Sequence, residues 1–126
     1  MGALAEREGR KRAYPVKSGA VINSNTPTVL VSGYLTTVDV LTGLSAGVTT
    51  FEVDNSAGAD GAVLAEVVAG EHKFSNAGDI TAANVGQTAY FVTDSQVSIS
   101  DATATRNAAG KITQVEGNGV WIFTGV

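Results

Sequence analysis

Residues 111–123 read K-I-T-Q-V-E-G-N-G-V-W-I-F, two runs of strand-forming residues about a Gly-Asn-Gly centre. Gly117-Asn118-Gly119 is a hairpin turn set between two β-prone runs, Lys111–Glu116 and Val120–Phe123. The second run, V-W-I-F, is apolar on both faces, which suits an interior strand or one covered by another subunit. Trp121 and Phe123 are therefore expected in the core or at a subunit contact.

Working outward from the hairpin, the same grammar recurs. Thr88-Ala89-Tyr90-Phe91-Val92 is again apolar on both faces and places Tyr90 at a core or interface position. Gln96-Val97-Ser98-Ile99-Ser100 alternates cleanly with period two. Glu71-His72-Lys73-Phe74 alternates with His72 and Phe74 on one face, and Thr49-Thr50-Phe51-Glu52-Val53 alternates with Phe51 and Val53 inward. Val and Thr together supply about a quarter of the 126 residues, which favours strands. Asn107-Ala108-Ala109-Gly110 reads as a second turn feeding Lys111. Thr81–Gly86 reads as one helical turn, with Thr81 as N-cap and Gly86 as its end. The expected fold is all-β: a small compact β-barrel or sandwich of short antiparallel strands, with at most one short helical turn.

Charge divides the chain unevenly. Residues 1–17 hold five basic residues against two acidic, a net +3, whereas residues 18–126 hold three basic against ten acidic, a net −7. The expected organisation is an extended basic N-terminal arm over residues 1–17, followed by a β-rich domain over 18–126. Pro15 favours extended or turning backbone at the arm's end, and Tyr14 and Val16 are placed to anchor it. Fully extended, the arm reaches roughly 55 Å, far enough to cross a neighbouring subunit.

Composition excludes much chemistry. The chain has no cysteine, which removes disulfides, thiolate catalysis and Cys-ligated zinc. Met1–Ala5 runs directly into Glu6 and Arg7 with no apolar signal segment, and no apolar run approaches the roughly 20 residues that span a bilayer. A soluble, cytoplasmically made protein is expected. Charged residues are 16% of the chain, low for a soluble protein, and alanine supplies a third of the 44% hydrophobic fraction. A small core and a sparsely charged surface suggest that much of the surface faces protein.

The single histidine, His72, invites a hydrolase reading with Glu71, Lys73 and Ser75 nearby. Neighbours on one strand point to opposite faces, so Glu71 cannot orient His72 as a triad carboxylate does. Asp54, Ser56, Asp60 and Glu66 suggest calcium, but counting from Asp54 the sixth position is Ala59 and the twelfth Ala65, where an EF-hand needs Gly and Glu. A surface loop held by Asx turns is the better reading of residues 54–61. No phosphate-cradling glycine motif precedes a helix. Thus no catalytic residue, metal or cofactor is expected. Arg10-Lys11-Arg12 is the one feature that suits nucleic acid, yet the −7 body repels the same phosphates. Assembly through the basic arm onto an acidic body is the simpler use of that charge.

Several stretches then form a familiar ordered set: E-R-E-G-R-K-R-A-Y-P-V-K-S-G (6–19), G-Y-L (33–35), V-D-N-S-A-G-A-D-G (53–61), A-N-V-G-Q-T-A-Y-F-V-T-D (83–94) and G-N-G-V-W-I (117–122). In this set the chain resembles the small capsid decoration-like proteins encoded beside the major capsid protein gene in many tailed phages and prophages, long catalogued as a domain of unknown function. The likeness runs from Glu6 to Phe123, and is weaker over Asn23–Val31 and Val38–Val48. The family often has a more acidic strand where this chain has Val63–Val68. The resemblance implies a non-enzymatic cement protein made in the host bacterial cytoplasm and placed on the outer surface of the virion. It implies binding to the major capsid protein, usually as a homotrimer at threefold and quasi-threefold positions. No membrane, specific nucleic acid or small-molecule substrate is then expected. Arg7, Arg10, Lys11, Arg12, Tyr14 and Lys17 would form the clamp onto neighbouring subunits or the shell. The alternative is a virion-displayed module that binds host surfaces or glycans, with the 54–61 loop as its concavity.

Overall fold

The computed structural model describes residues 10–125. Among these, twelve strands and one 3-10 turn build an all-β fold. The first seven strands are β1 (Lys11–Pro15), β2 (Val21–Ile22), β3 (Pro27–Val31), β4 (Tyr34–Thr37), β5 (Leu44–Thr49), β6 (Val53–Asp54) and β7 (Leu64–Val68). Five of them form a sheet in the order β1-β7-β5-β3-β4, all antiparallel, while β2 and β6 pair as a separate ribbon. A parallel bridge between Val16 and Leu35, with the Lys17 amide donating to the Leu35 carbonyl at 2.9 Å, brings the two edges of that sheet together. The interior holds Val16, Ile22, Leu35, Ala46, Ala65 and Val67, with Tyr14 and Leu30 packed against them.

The second unit contains β8 (Gly70–Asn76), the 3-10 turn (Ala82–Asn84), β9 (Thr88–Phe91), β10 (Gln96–Ser98), β11 (Ala108–Glu116) and β12 (Gly119–Thr124). Its five strands close into a barrel in the order β10-β8-β12-β11-β9, with β8 and β10 parallel and the other pairs antiparallel. Phe74, Ala89, Phe91, Val97, Ala109, Ile112, Val120 and Ile122 fill it, and Phe74 meets Phe91 edge to face at 5.8 Å. The expected hairpin is present, with Glu116 opposite Gly119 across Gly117-Asn118. The expected helical turn is the 3-10 turn behind Thr81, whose amide donates to Asn84 Oδ1 at 2.7 Å.

The two units repeat one topology. Strands β1, β3, β4, β5 and β7 correspond in order and pairing to β8, β9, β10, β11 and β12. The registers carry the match to single residues. Tyr14 faces Ala65 as Phe74 faces Val120, and Leu30 faces Leu35 as Phe91 faces Val97. The bulge recurs too: β5 skips Ala46 against β3 as β11 skips Ala109 against β9. A glycine with positive φ follows each bulged alanine, Gly47 at 121° and Gly110 at 143°. At both, an added Cβ would strike the backbone oxygen of an equivalent residue, Val68 for Gly47 and Phe123 for Gly110. The repeat therefore preserves a backbone close approach that only glycine permits.

Three expectations need correction. Lys11–Pro15 is a strand of the first sheet, so this part of the basic segment belongs to the body; Tyr14 is half-buried and Val16 fully buried. Residues 1–9 of the expected arm lie outside the described residues. Ala108–Gly110 is the bulged start of β11, with Asn107 just before it, and not a turn; bulges and turns draw on the same small residues. Phe51 is 74% exposed, since β5 ends at Thr49 and the bend after it breaks the alternation. Of the two places expected for Trp121 and Phe123, the core is taken by Val120, Ile122 and Thr124, and the two aromatic rings point outward from the second barrel.

Candidate functional site

The alternation of β12 sets Trp121 and Phe123 side by side on the outside of the second barrel, between Lys73 and Glu71 of β8 and Gln114 and Lys111 of β11. Phe123 is 45% exposed. The Arg10 guanidinium lies over its ring, 5.3 Å from the centroid, and the Lys73 ammonium lies 5.9 Å from the Trp121 centroid. Lys73 also pairs with Glu116 at 3.3 Å and donates to Asn118 Oδ1. The Trp121 indole N–H donates to Glu116 Oε1, and that bond, with Lys73, holds the Glu116 carboxyl below its ordinary range. The result is an aromatic and basic stripe whose cations are ordered against rings. Such a surface suits contact with another protein.

The basic residues expected to clamp a neighbour disperse across this chain. Arg10 serves Phe123, and its carbonyl accepts from the Ala69 amide at 2.8 Å. Lys11 reaches Glu66 at 3.9 Å with both groups exposed, which contributes little in solvent. Arg12 donates to the Lys11 carbonyl at 3.0 Å, Tyr14 packs on the first core, and the Lys17 amide joins β4. Arg7 lies outside the described residues. Tyr90 points outward from β9, half-buried, while its neighbours Ala89 and Phe91 face the core.

His72 is half-buried, as its place beside Phe74 on β8 predicts. Its Nδ1 bonds the Thr124 hydroxyl at 2.8 Å and the Gly70 carbonyl at 3.1 Å, and burial pushes its pKa down. Because Thr124 Oγ1 donates to the same carbonyl at 3.0 Å, the ring has a structural role, joining β8 to β12. Neither partner is a carboxylate, so the base-and-orienter pair of a triad is not assembled there.

The 54–61 loop is knit internally. Buried Asn55 donates from Nδ2 to the carbonyls of Val16, Lys17 and Ala59 at 3.0–3.1 Å, and Asp54 accepts from the Ser56 amide at 2.8 Å. Asp60 accepts from the Ser18 amide at 2.8 Å. Among the described residues no group of three or more His, Cys, Asp and Glu side chains is placed to hold a metal ion.

Sequence reasoning missed a groove of about 620 Å³ between the two units. Asn23, Thr26 and Asp39 of the first unit face Thr93, Asp94 and Arg106 of the second, over a floor that includes Phe91 and Val38. One wall is a left-handed turn in which Ala102, Thr103 and Ala104 have φ of 51°, 62° and 61°. Each non-glycine residue in that region costs on the order of 1 kcal/mol. Asp101 Oδ1 holds the Thr103 amide, Thr105 Oγ1 donates to the Ala102 carbonyl and Arg106 donates to the Ser100 carbonyl. Without a glycine or asparagine at those three positions, nothing in the sequence announces the turn.

Among the described residues no helix is long and apolar enough to cross a membrane. No protein-family model, curated protein or solved structure matches the chain.

Proposed function

We propose that this chain is a non-enzymatic capsid decoration protein that binds the outside of a phage head and stabilises the shell. The carrying observation is the outward stripe of Arg10, Phe123, Lys73 and Trp121, a preordered surface suited to protein contact. The ordered sequence likeness to decoration proteins supplies the partner class, the major capsid protein, and a homotrimer at threefold and quasi-threefold positions as the assembled form. The test is co-sedimentation with empty heads assembled from a tailed-phage major capsid protein. Binding that is lost in a Trp121→Ala, Phe123→Ala double variant supports the reading; a chain that stays in the supernatant at low and high salt sinks it.

The groove between the units favours a second reading, a virion-displayed glycan-binding module. Hydroxyl, amide, carboxylate and guanidinium groups over an apolar floor are the groups that recognise sugars, and they line this groove. A glycan array separates the two: saturable binding abolished by Asp94→Ala favours the glycan module.

A further inference from the structure

The internal repeat makes a prediction about the outside of the molecule. In the first unit, Val29 and Val31 of β3 and Val48 of β5 point away from their own core and pack into the apolar cluster of the second unit. Val48 there lines a recess with His72 and Phe74. By register, Val29 corresponds to Tyr90, Val48 to Lys111 and Val68 to Phe123. These equivalents form the outer face of the second unit. Val29 and Val48 are buried, whereas Phe123 is 45% exposed, Lys111 is exposed and Tyr90 half-buried. A contact symmetric between the units would cover both faces or neither. The contact within the chain is therefore heterologous, and it leaves one copy of its own face unsatisfied.

The opposite end of that contact is also duplicated. Asn107 of the second unit docks on the first, donating to the Val38 and Val40 carbonyls and accepting from the Gly43 amide. Its equivalent in the first unit is Leu44, an apolar side chain that is 64% exposed. One end of the chain thus presents an uncovered receiving face, and the other an uncovered docking edge.

We propose that the face built on Tyr90, Lys111 and Phe123 receives the first unit of a second copy of this chain, around Leu44, repeating head to tail the contact its own units make. A second copy is the occupant that the repeat itself supplies, because it carries a unit of the same topology as the one already seated on the equivalent face within the chain; Arg10 over Phe123, with Glu71 and Lys111 on either side, rims the face with charges of both signs. This assignment deepens the homotrimer of the proposed function by naming its contact, and it is tested without shells, so its failure is distinguishable from a failure to bind heads.

The experiment is light scattering across a dilution series on the full chain and on two variants, Phe123→Asp and Leu44→Asp. Both substitutions fall on exposed side chains, and circular dichroism and urea midpoints verify the folded state. Wild type is expected at a multiple of 12.8 kDa, and each variant alone at the mass of one chain. An equimolar mixture of the two variants is expected to form a two-chain complex and go no further, because each keeps the surface the other has lost. A wild type that stays at one chain throughout overturns the proposal. So does a folded variant that associates as wild type does, or a mixture that remains at single-chain mass.

Discussion

Replacing Asn107 with alanine tests the seam between the two units most directly. The side chain is 5% exposed and makes three hydrogen bonds across the seam, to the Val38 carbonyl at 2.9 Å, the Val40 carbonyl at 2.6 Å and the Gly43 amide at 3.0 Å. Each is worth about 0.5–1.5 kcal/mol net, and a backbone group left dry costs about 1–3 kcal/mol, so the expected loss is about 3 kcal/mol. For a small domain with a urea slope between about 1 and 3 kcal/mol per molar, the unfolding midpoint falls on the order of 2 M. Equilibrium urea unfolding followed by Trp121 fluorescence gives the number. Asn107→Asp is expected to be worse at neutral pH, because its carboxylate sets negative charge against two carbonyl oxygens. The site raises that carboxyl's pKa above its unfolded value, so the aspartate variant recovers stability as pH falls and loses it as pH rises. A loss under about 1 kcal/mol in the alanine variant would show that the seam does not depend on these bonds.

Three further outcomes follow from the geometry. Gly110→Ala is expected to cost on the order of 3 kcal/mol or more, and Gly47→Ala less, since the Phe123 oxygen crowds Gly110 more closely than Val68 crowds Gly47; matched thermal melts rank the two, and an undamaged Gly110→Ala refutes the bulge argument. His72 has its pKa lowered by burial, so the unfolded state binds the proton first. Its stabilising contribution is complete above the unfolded value near 6.5 and declines as pH falls from there through the lower folded value; urea midpoints across that window should flatten in His72→Gln. Trp121→Ala, on the outer row, should cost about 1 kcal/mol through its lost indole hydrogen bond and cation–π contact. Ile122→Ala, on the inner row, should cost about 2–5 kcal/mol, and a reversed order would place β12 the other way round.

The all-β class was legible because strand period, Val and Thr content and the 117–119 turn agree at every level. The repeat was not. Its equivalent core pairs, such as Tyr14 with Phe74, Leu35 with Val97 and Thr49 with Ile112, keep a face and an approximate volume but not an identity. Ala46-Gly47 and Ala109-Gly110 do share letters, yet a two-residue match is invisible without the register that gives it meaning. β1 was hidden by charge: Lys11 and Arg12 dominate the segment, while Tyr14 and Val16, two residues apart, carry the strand signal. The aromatic stripe was half legible. Sequence singled out Trp121 and Phe123, but their facing partners, Arg10 from the bend before β1 and Lys73 from β8, are brought beside β12 only by the closed fold.

The pairing of first strand with last, β1 with β7 and β8 with β12, bears on how the chain is made. Neither unit can seal as it leaves the ribosome strand by strand, because the opening strand waits for a partner synthesised some fifty residues later. Loop closure must precede the contacts that reward it, so both units are expected to fold late and slowly for their size. During that wait the apolar row of β3, Val29 and Val31, is uncovered by any second unit. A nascent chain stalled before Gly70 therefore displays a sticky half-molecule, and a holdase chaperone that shields β3 should raise the yield of folded protein more than one that acts after release.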